Sequence, residues 1–377
     1  MGFALALIRG VSALYRSASS SVTIGGHVGR TFQLSRSVRE GCPLTPHLVL
    51  FVAEMMSDFI RAQQSALRGL IMPVADEPDL IDQEYADDTL LFLHYFPAVL
   101  DTSHYALEVF CVANGARVNW NKSYGILAGS DDVPTWGPGD FTWLGLRESC
   151  RYLGFQVGLD VTPEQQLSPL MQSMRRKLCY WSSQHLSLAG RALVANQALL
   201  ASAWYVASCW TLHGGVMRQL IRNFLFGGLD GTHDTRARVC WSTIIMPTSQ
   251  GGLGIIDPDM QSRALLTKLI VRGLFPGNEP WKILLQTDLA TVTPTYGVRD
   301  GHIWTTGTRF MFTDAPVRRD GVSPFMRSLL QIWNSMRKGL IRRTPRCKEE
   351  IFRQPLIGNS YVYYTADSLT GVRHQDA

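Results

Sequence analysis

Residues 81–93 read Ile81-Asp82-Gln83-Glu84-Tyr85-Ala86-Asp87-Asp88-Thr89-Leu90-Leu91-Phe92-Leu93. Ile81 to Glu84 and Thr89 to Leu93 have the length and residue types of short strands, and a tight polar turn separates them, so the stretch predicts a β-hairpin. Adjacent carboxylates at a hairpin tip repel, and burying them unpaired is costly. A divalent cation resolves that conflict, because Mg²⁺ takes carboxylate oxygens together with substrate phosphates. The plainer alternative is a solvated Asp-Asp turn, a common hairpin loop.

Upstream, Ser21 to Ile24 and Thr31 to Leu34 read as strands around the turn Gly25-Gly26-His27. Thr45 is placed to cap a helix with Pro46 in its first turn, running through Leu48 to about Gln64. Its Leu48, Phe51, Val52, Met55 and Phe59 form an apolar face expected to pack under the hairpin. Downstream, Pro97 to Ala113 predicts a helix with Leu100, Leu107, Phe110 and Cys111 on one face and Asn114-Gly115 at its end. Tyr124 to Leu127, Thr142 to Leu146 and Tyr152 to Val157 supply further strand material.

From about residue 161 the pattern becomes helical. Helices are expected from Pro163 to Trp181, from Ser187 through Leu193, Leu200, Trp204 and Val206, and from Met217 to Phe226. Trp181 and Trp204 fall at core spacing. The organisation is therefore three blocks: residues 1–160 of mixed character, 161–260 helical, and 261–377 without an assignable fold. The fold class is α+β.

The chain has 377 residues, 46% of them hydrophobic and 18% charged, which excludes whole-chain disorder, collagen and coiled coil. Up to residue 160 there are 11 basic and 17 acidic residues, and beyond it 25 and 14. A basic second half suits a polyanionic partner, although such a field also serves solubility. Seven cysteines without a C-x-x-C pair write neither a disulfide framework nor a zinc ribbon, and point to an intracellular, reducing compartment. Met1 to Ile8 lacks the leading charge of a signal peptide. Ala192 to Met217 carries no Asp, Glu, Lys or Arg but is broken by Asn196, Gln197, His213, Gly214 and Gly215, so it reads as a buried helix rather than a membrane span.

Four further segments stand in order with the Asp-Asp hairpin. They are Arg39-Glu40-Gly41-Cys42-Pro43-Leu44-Thr45-Pro46, Gly115-Ala116-Arg117-Val118-Asn119-Trp120-Asn121-Lys122-Ser123, Tyr152-Leu153-Gly154, and Leu186-Ser187-Leu188-Ala189-Gly190-Arg191 with Trp241 through Pro247 to Gly251-Gly252-Leu253-Gly254. In this order and spacing, residues 1 to about 260 resemble the reverse transcriptases of LINE-type non-LTR retrotransposons. The resemblance implies a partial polymerase palm, an antiparallel sheet with helices, followed by a helical thumb-like domain. It implies RNA-templated DNA synthesis as the family activity, with Mg²⁺ as cofactor. The implied partners are an RNA template, a DNA primer and deoxynucleoside triphosphates.

Carried onto this sequence, the resemblance makes Asp87 and Asp88 the metal-binding catalytic pair and places Tyr85 beside the primer end and incoming nucleotide. Gly41 and Pro43 match a stretch near template and nucleotide. Lys122 matches a lysine that protonates or neutralises departing pyrophosphate; the plain reading is a surface lysine. Tyr152, Leu153 and Gly154 match the primer grip, and are equally ordinary core strand. Arg175, Arg176 and Lys177 fall on a thumb-like helix facing primer-template duplex. Cys42 reads as a small buried residue rather than a nucleophile. Arg337, Lys338, Arg342, Arg343, Arg346 and Lys348 are either a phosphate-contacting cluster or a solvated helix face.

Two departures qualify the match. Glu40 stands where the family has glutamine, which puts negative charge near template or triphosphate. Glu40 is also the first acidic residue of the chain, whereas the family's two-metal site takes a further aspartate from an upstream strand. Met1-Gly2-Phe3 resembles a segment just downstream of that aspartate, and neither fingers, an endonuclease nor a Cys/His knuckle of metal-binding spacing is recognisable. The expectation is a truncated relative that does not synthesise DNA by itself. The alternatives are a non-catalytic nucleic-acid-binding remnant and a translated pseudogene product.

Overall fold

The computed structural model describes residues 2–34, 38, 41–63, 65–73, 78–129, 134–212, 214–227, 239–275, 277–292 and 323–340. Arg39, Glu40 and the basic residues from Arg342 onward lie outside them, as do the side chains of Arg337 and Lys338. The chain forms two compact units: residues 1–70 with 79–118, and 71–78 with 119–377. The fold is α+β, with helices and small two-stranded sheets.

The first unit opens with helix α1 (Leu5–Tyr15), followed by β1 (Ser19–Ser20), β2 (Thr23–Ile24), β3 (His27–Val28) and β4 (Phe32–Gln33). β2 pairs with β3 around Gly25-Gly26, and β1 with β4, so His27 belongs to a strand rather than to the turn. Helix α2 (Thr45–Arg61) carries Pro46 in its first turn. Its N-cap is Leu44 without a side-chain cap bond, so Thr45 sits inside the helix instead of capping it.

β5 (Asp82–Tyr85) and β6 (Asp88–Leu91) form the expected antiparallel hairpin, in register from Asp82 opposite Leu91 to Tyr85 opposite Asp88. Helix α3 (Pro97–Asn114) follows and ends at Gly115. Ile60, Leu67 and Ile81 are buried together, with Met56, Leu91, Leu93, Val99 and Leu107 packed against them. The buried face of α2 is therefore Ser57 and Ile60, while Phe51, Val52 and Met55 are exposed. This corrects the face expected from periodicity. α2 is apolar around most of its circumference, so spacing does not select a face; the polar contacts of Ser57 and Arg61 described below do.

The second unit holds the remaining strands, which pair among themselves. β7 (Tyr124–Ile126) and β8 (Thr142–Leu144) are parallel. β9 (Cys150–Tyr152) and β10 (Phe155–Val157) form a hairpin around Leu153-Gly154, where the sequence suggests one strand. Helix α4 (Pro163–Ser182) begins with a capping box in which Thr162 and Gln165 satisfy each other's backbone N–H.

A single helical run then passes through α5 (Leu188–Val194), a π-helical segment (Ala195–Leu200) and α6 (Ala201–Ala207). It is buried along Ala192, Ala195, Leu199, Leu200, Ala203 and Ala207, as expected for the uncharged stretch. Helix α7 (Gly214–Phe226), the short α8 (Trp241–Ile245) and residues of α4 complete this core, against which Trp181 and Trp204 also pack.

A second core joins α9 (Pro258–Leu274), α10 (Pro280–Val292) and α11 (Pro324–Leu340) through Leu266, Ile270, Leu289, Leu330 and Trp333. No helix among the described residues is long and apolar enough to cross a membrane.

Candidate functional site

The hairpin of the first unit is fixed to α2 by a polar knot. Asp82 is 2% exposed. It accepts from Arg61 Nε at 3.0 Å and Nη2 at 3.4 Å, and from the Ser57 hydroxyl. Side chains alternate along a strand, so Asp82 and Glu84 face α2 while Tyr85 and Asp88, which oppose each other in the register, share the other face.

Glu84 is half-buried, and one of its oxygens has no hydrogen-bond partner among the described residues. Burial first, then the charges of Asp82 and Glu54 against that of Arg61, push its carboxyl up to about 7. Asp82 is held against the C-terminal turn of α2 by Arg61 and Ser57.

At the tip, Ala86 adopts a left-handed φ of 57°, the conformation that closes a two-residue hairpin turn. Asp87 and Asp88 are both exposed, and Tyr85 is 65% exposed beside Asp88. Gly41 and Pro43 lie in the exposed loop entering α2. Between them Cys42 is half-buried rather than buried. The backbone N–H of Leu44, then the Tyr15 hydroxyl at 3.9 Å, hold its thiol below the ordinary range.

Two hard carboxylates on one turn fit a divalent cation whose other ligands are water and substrate phosphate. Among the described residues no group of three or more His, Cys, Asp and Glu is placed to hold a metal ion.

The remaining residues singled out by the sequence belong to the second unit. Lys122 ends a 3₁₀ turn (Trp120–Lys122) and is exposed. Leu153 and Gly154 have φ of 46° and 87°, the two left-handed residues of a tight hairpin turn, and Tyr152 opposes Phe155 at its base. Arg175 and Arg176 are exposed on α4. Lys177 differs: its Nζ donates to the Ala198 carbonyl at 3.2 Å and to Ser202 Oγ at 2.6 Å, so it ties α4 to the buried helical run.

The segments from Leu186 to Gly254 have structural work that sequence reasoning missed. Asn196 donates to the Gly254 carbonyl at 2.9 Å and accepts from the Ile256 N–H at 3.0 Å. The Gly251-Gly252-Leu253-Gly254 strip is thereby clamped to the π-helical segment. Gly252 lies so close to the Met246 carbonyl that any Cβ would collide with backbone. Arg191 donates to the Phe224 and Gly227 carbonyls at 3.0 and 2.9 Å, closing the C-terminus of α7 with a cation.

No protein-family profile matches the chain. A stretch of 277 residues, 72% of the chain, is 28% identical to an uncharacterised 149 kDa protein of transposon TX1 from Xenopus laevis, of which it covers 20%. The chain is related to a transposon protein. A stretch of 120 residues, 31% of the chain, is also 28% identical to a putative ribonuclease H protein of Arabidopsis thaliana, covering 19% of it. The matched stretches thus span about one fifth of the length of these curated relatives.

Proposed function

We propose that the chain derives from the reverse transcriptase of a LINE-type non-LTR retrotransposon and engages an RNA template paired with a DNA primer. The observation that carries this reading is the β5–β6 hairpin, with Tyr85 beside Asp88 on one face and two exposed carboxylates at its tip, in a chain related to a transposon protein. The second relative, a putative ribonuclease H protein, supports a nucleic-acid partner.

In this reading Asp87 and Asp88 hold Mg²⁺, which when bound neutralises phosphate charge and activates a primer 3′-hydroxyl. Tyr85 packs beside the primer end and incoming deoxynucleoside triphosphate. The Gly41–Pro43 loop borders the nucleotide. Lys122 meets departing pyrophosphate, Tyr152, Leu153 and Gly154 grip the primer strand, and Arg175 and Arg176 contact duplex phosphates.

The 377-residue chain by itself binds without synthesising. Among the described residues Asp87 and Asp88, from one turn, have no third metal-ligating side chain grouped with them, and a pair that approaches a cation from one side only is short of a two-ion clamp on the attacking and leaving oxygens. A purely nucleic-acid-binding role is therefore the second reading, favoured by the exposed Arg175 and Arg176. The test is binding of a short RNA–DNA hybrid across a salt series. Affinity that falls steeply with salt supports engagement of a phosphate backbone. No measurable affinity at low salt contradicts it.

A further inference from the structure

Tyr205 is 55% exposed although it stands on α6, whose neighbours Ala203, Val206 and Ala207 are buried. Core packing does not account for a large ring left half in solvent. Its hydroxyl reaches a turn 52 residues earlier and donates to the Leu153 carbonyl at 2.7 Å. Its ring lies 5.0 Å, centroid to centroid, from that of Phe155. A Cβ on Gly154 would stand 3.1 Å from the Tyr205 ring. Tyr205 therefore touches the residues on both sides of the peptide that the turn reverses.

The turn needs such a support. Leu153 has φ of 46°, a strained conformation for a residue with a branched side chain. A two-residue loop on a three-residue ladder adds few contacts of its own to hold that conformation. The helix that presents Tyr205 is itself anchored twice over. Asn196 binds Gly254 and Ile256, and Lys177 of α4 binds Ala198 and Ser202. A side chain on so rigid an element can hold its target atom to within a fraction of an ångström.

We propose that Tyr205 is a positioning residue, holding the Leu153-Gly154 turn in the conformation that contacts the sugar–phosphate backbone of a bound primer strand. This rests on the reading of Tyr152, Leu153 and Gly154 as a primer grip. The role is distinct from that of Arg175 and Arg176: it sets where backbone groups stand and adds no charge.

The test uses the full chain and its Tyr205→Phe variant, with a fluorescent RNA–DNA hybrid as probe and amide hydrogen exchange at Gly154 and Phe155 as a readout independent of nucleic acid. Removing one hydrogen bond is expected to speed exchange at these amides and weaken hybrid affinity about fivefold. The salt dependence keeps its slope, because no phosphate-neutralising charge is lost, and the melting temperature is nearly unchanged. Gly154→Ala disturbs the same turn from the other side and is expected to weaken affinity likewise. Faster exchange with unaltered affinity overturns the positioning role, as does unaltered exchange. Absence of binding by the parent chain overturns the primer-grip reading itself, whatever the exchange rates show.

Discussion

Arg61 and Asp82 are joined through Nε and Oδ1 at 3.0 Å, one partner half in solvent and the other sealed in the first unit. With Ser57 they fasten the strand that leads to Asp87 to the last turn of α2. The position of the acidic tip is thus set by a carboxylate five residues before it, one that takes no part in the proposed chemistry.

Asp82→Ala should accordingly lower stability by about 1–3 kcal/mol, because it strips the buried Ser57 hydroxyl of its acceptor and Arg61 of its partner. Chemical denaturation followed by fluorescence checks this. Asp87→Ala, at an exposed position, should change stability by less than about 0.5 kcal/mol. Equal effects of the two would contradict the polar knot.

Glu84 gives the first unit a pH dependence of definite sign. Its folded carboxyl is raised from 4.5 to about 7, so the folded state holds the proton more tightly than the unfolded chain. That contribution is complete below the unfolded value and is lost as pH rises through about 7. Glu84→Gln should therefore leave stability little changed in acid and raise it at pH above 7. The difference in melting temperature between parent and variant, taken across that range, should grow with pH. A difference that shrinks would reverse the assignment.

Asn196→Ala should destabilise the second unit by about 1–3 kcal/mol, since it leaves the Gly254 carbonyl and the Ile256 N–H without their partner. Asn196→Asp keeps the acceptor and loses the donor, so it should fall between. Gly252→Ala should be worse than Asn196→Ala, as its Cβ collides with the Met246 carbonyl. Thermal melts of the three variants rank them.

On α4, the Arg175→Ala, Arg176→Ala double variant should weaken hybrid binding equally for all sequences and reduce the salt slope by about one per lost phosphate contact. Lys177→Ala should instead lower stability and leave that slope intact, because its ammonium is engaged by Ala198 and Ser202. Salt titrations of both variants separate the two roles, and a Lys177→Ala slope as shallow as that of the arginine double variant would contradict the division.

The elements visible in the sequence were those with local signals. The β5–β6 hairpin follows from a polar turn between strand-like segments, and α4 from Pro163 in its first turn. The polar knot was not visible, because nothing local marks Asp82 as buried; its partners lie 21 and 25 residues earlier. The apolar circumference of α2 hid which face it buries. The Leu153-Gly154 turn was masked by a leucine, a residue whose sequence preference argues against a left-handed φ. The start of α9 did carry an overlooked signal: Asp257 before Pro258 is a capping pattern, and the Asp257 carboxylate accepts from the N–H groups of Asp259 and Met260. For the candidate site, the place of Asp87 and Asp88 at a hairpin turn was legible from the sequence, whereas the support given by Tyr205 to residues 153–155 depends on a contact 52 residues long.

The most direct test of the central claim, that the tip carries a polymerase-type carboxylate pair insufficient for synthesis in this chain, is primer extension. The purified 377-residue chain is incubated with an RNA template, an annealed DNA primer, deoxynucleoside triphosphates and either Mg²⁺ or Mn²⁺, with Asp87→Ala in parallel. Asp87 and Asp88 approach from a single turn, with no third metal-ligating side chain grouped with them among the described residues, and a reaction that depends on alignment suffers severely when ligands stand on one side alone. The account predicts a bound hybrid and an unextended primer with either metal. Template-dependent extension by the parent chain that disappears in Asp87→Ala would contradict it, and would mean that another group of this chain completes the site.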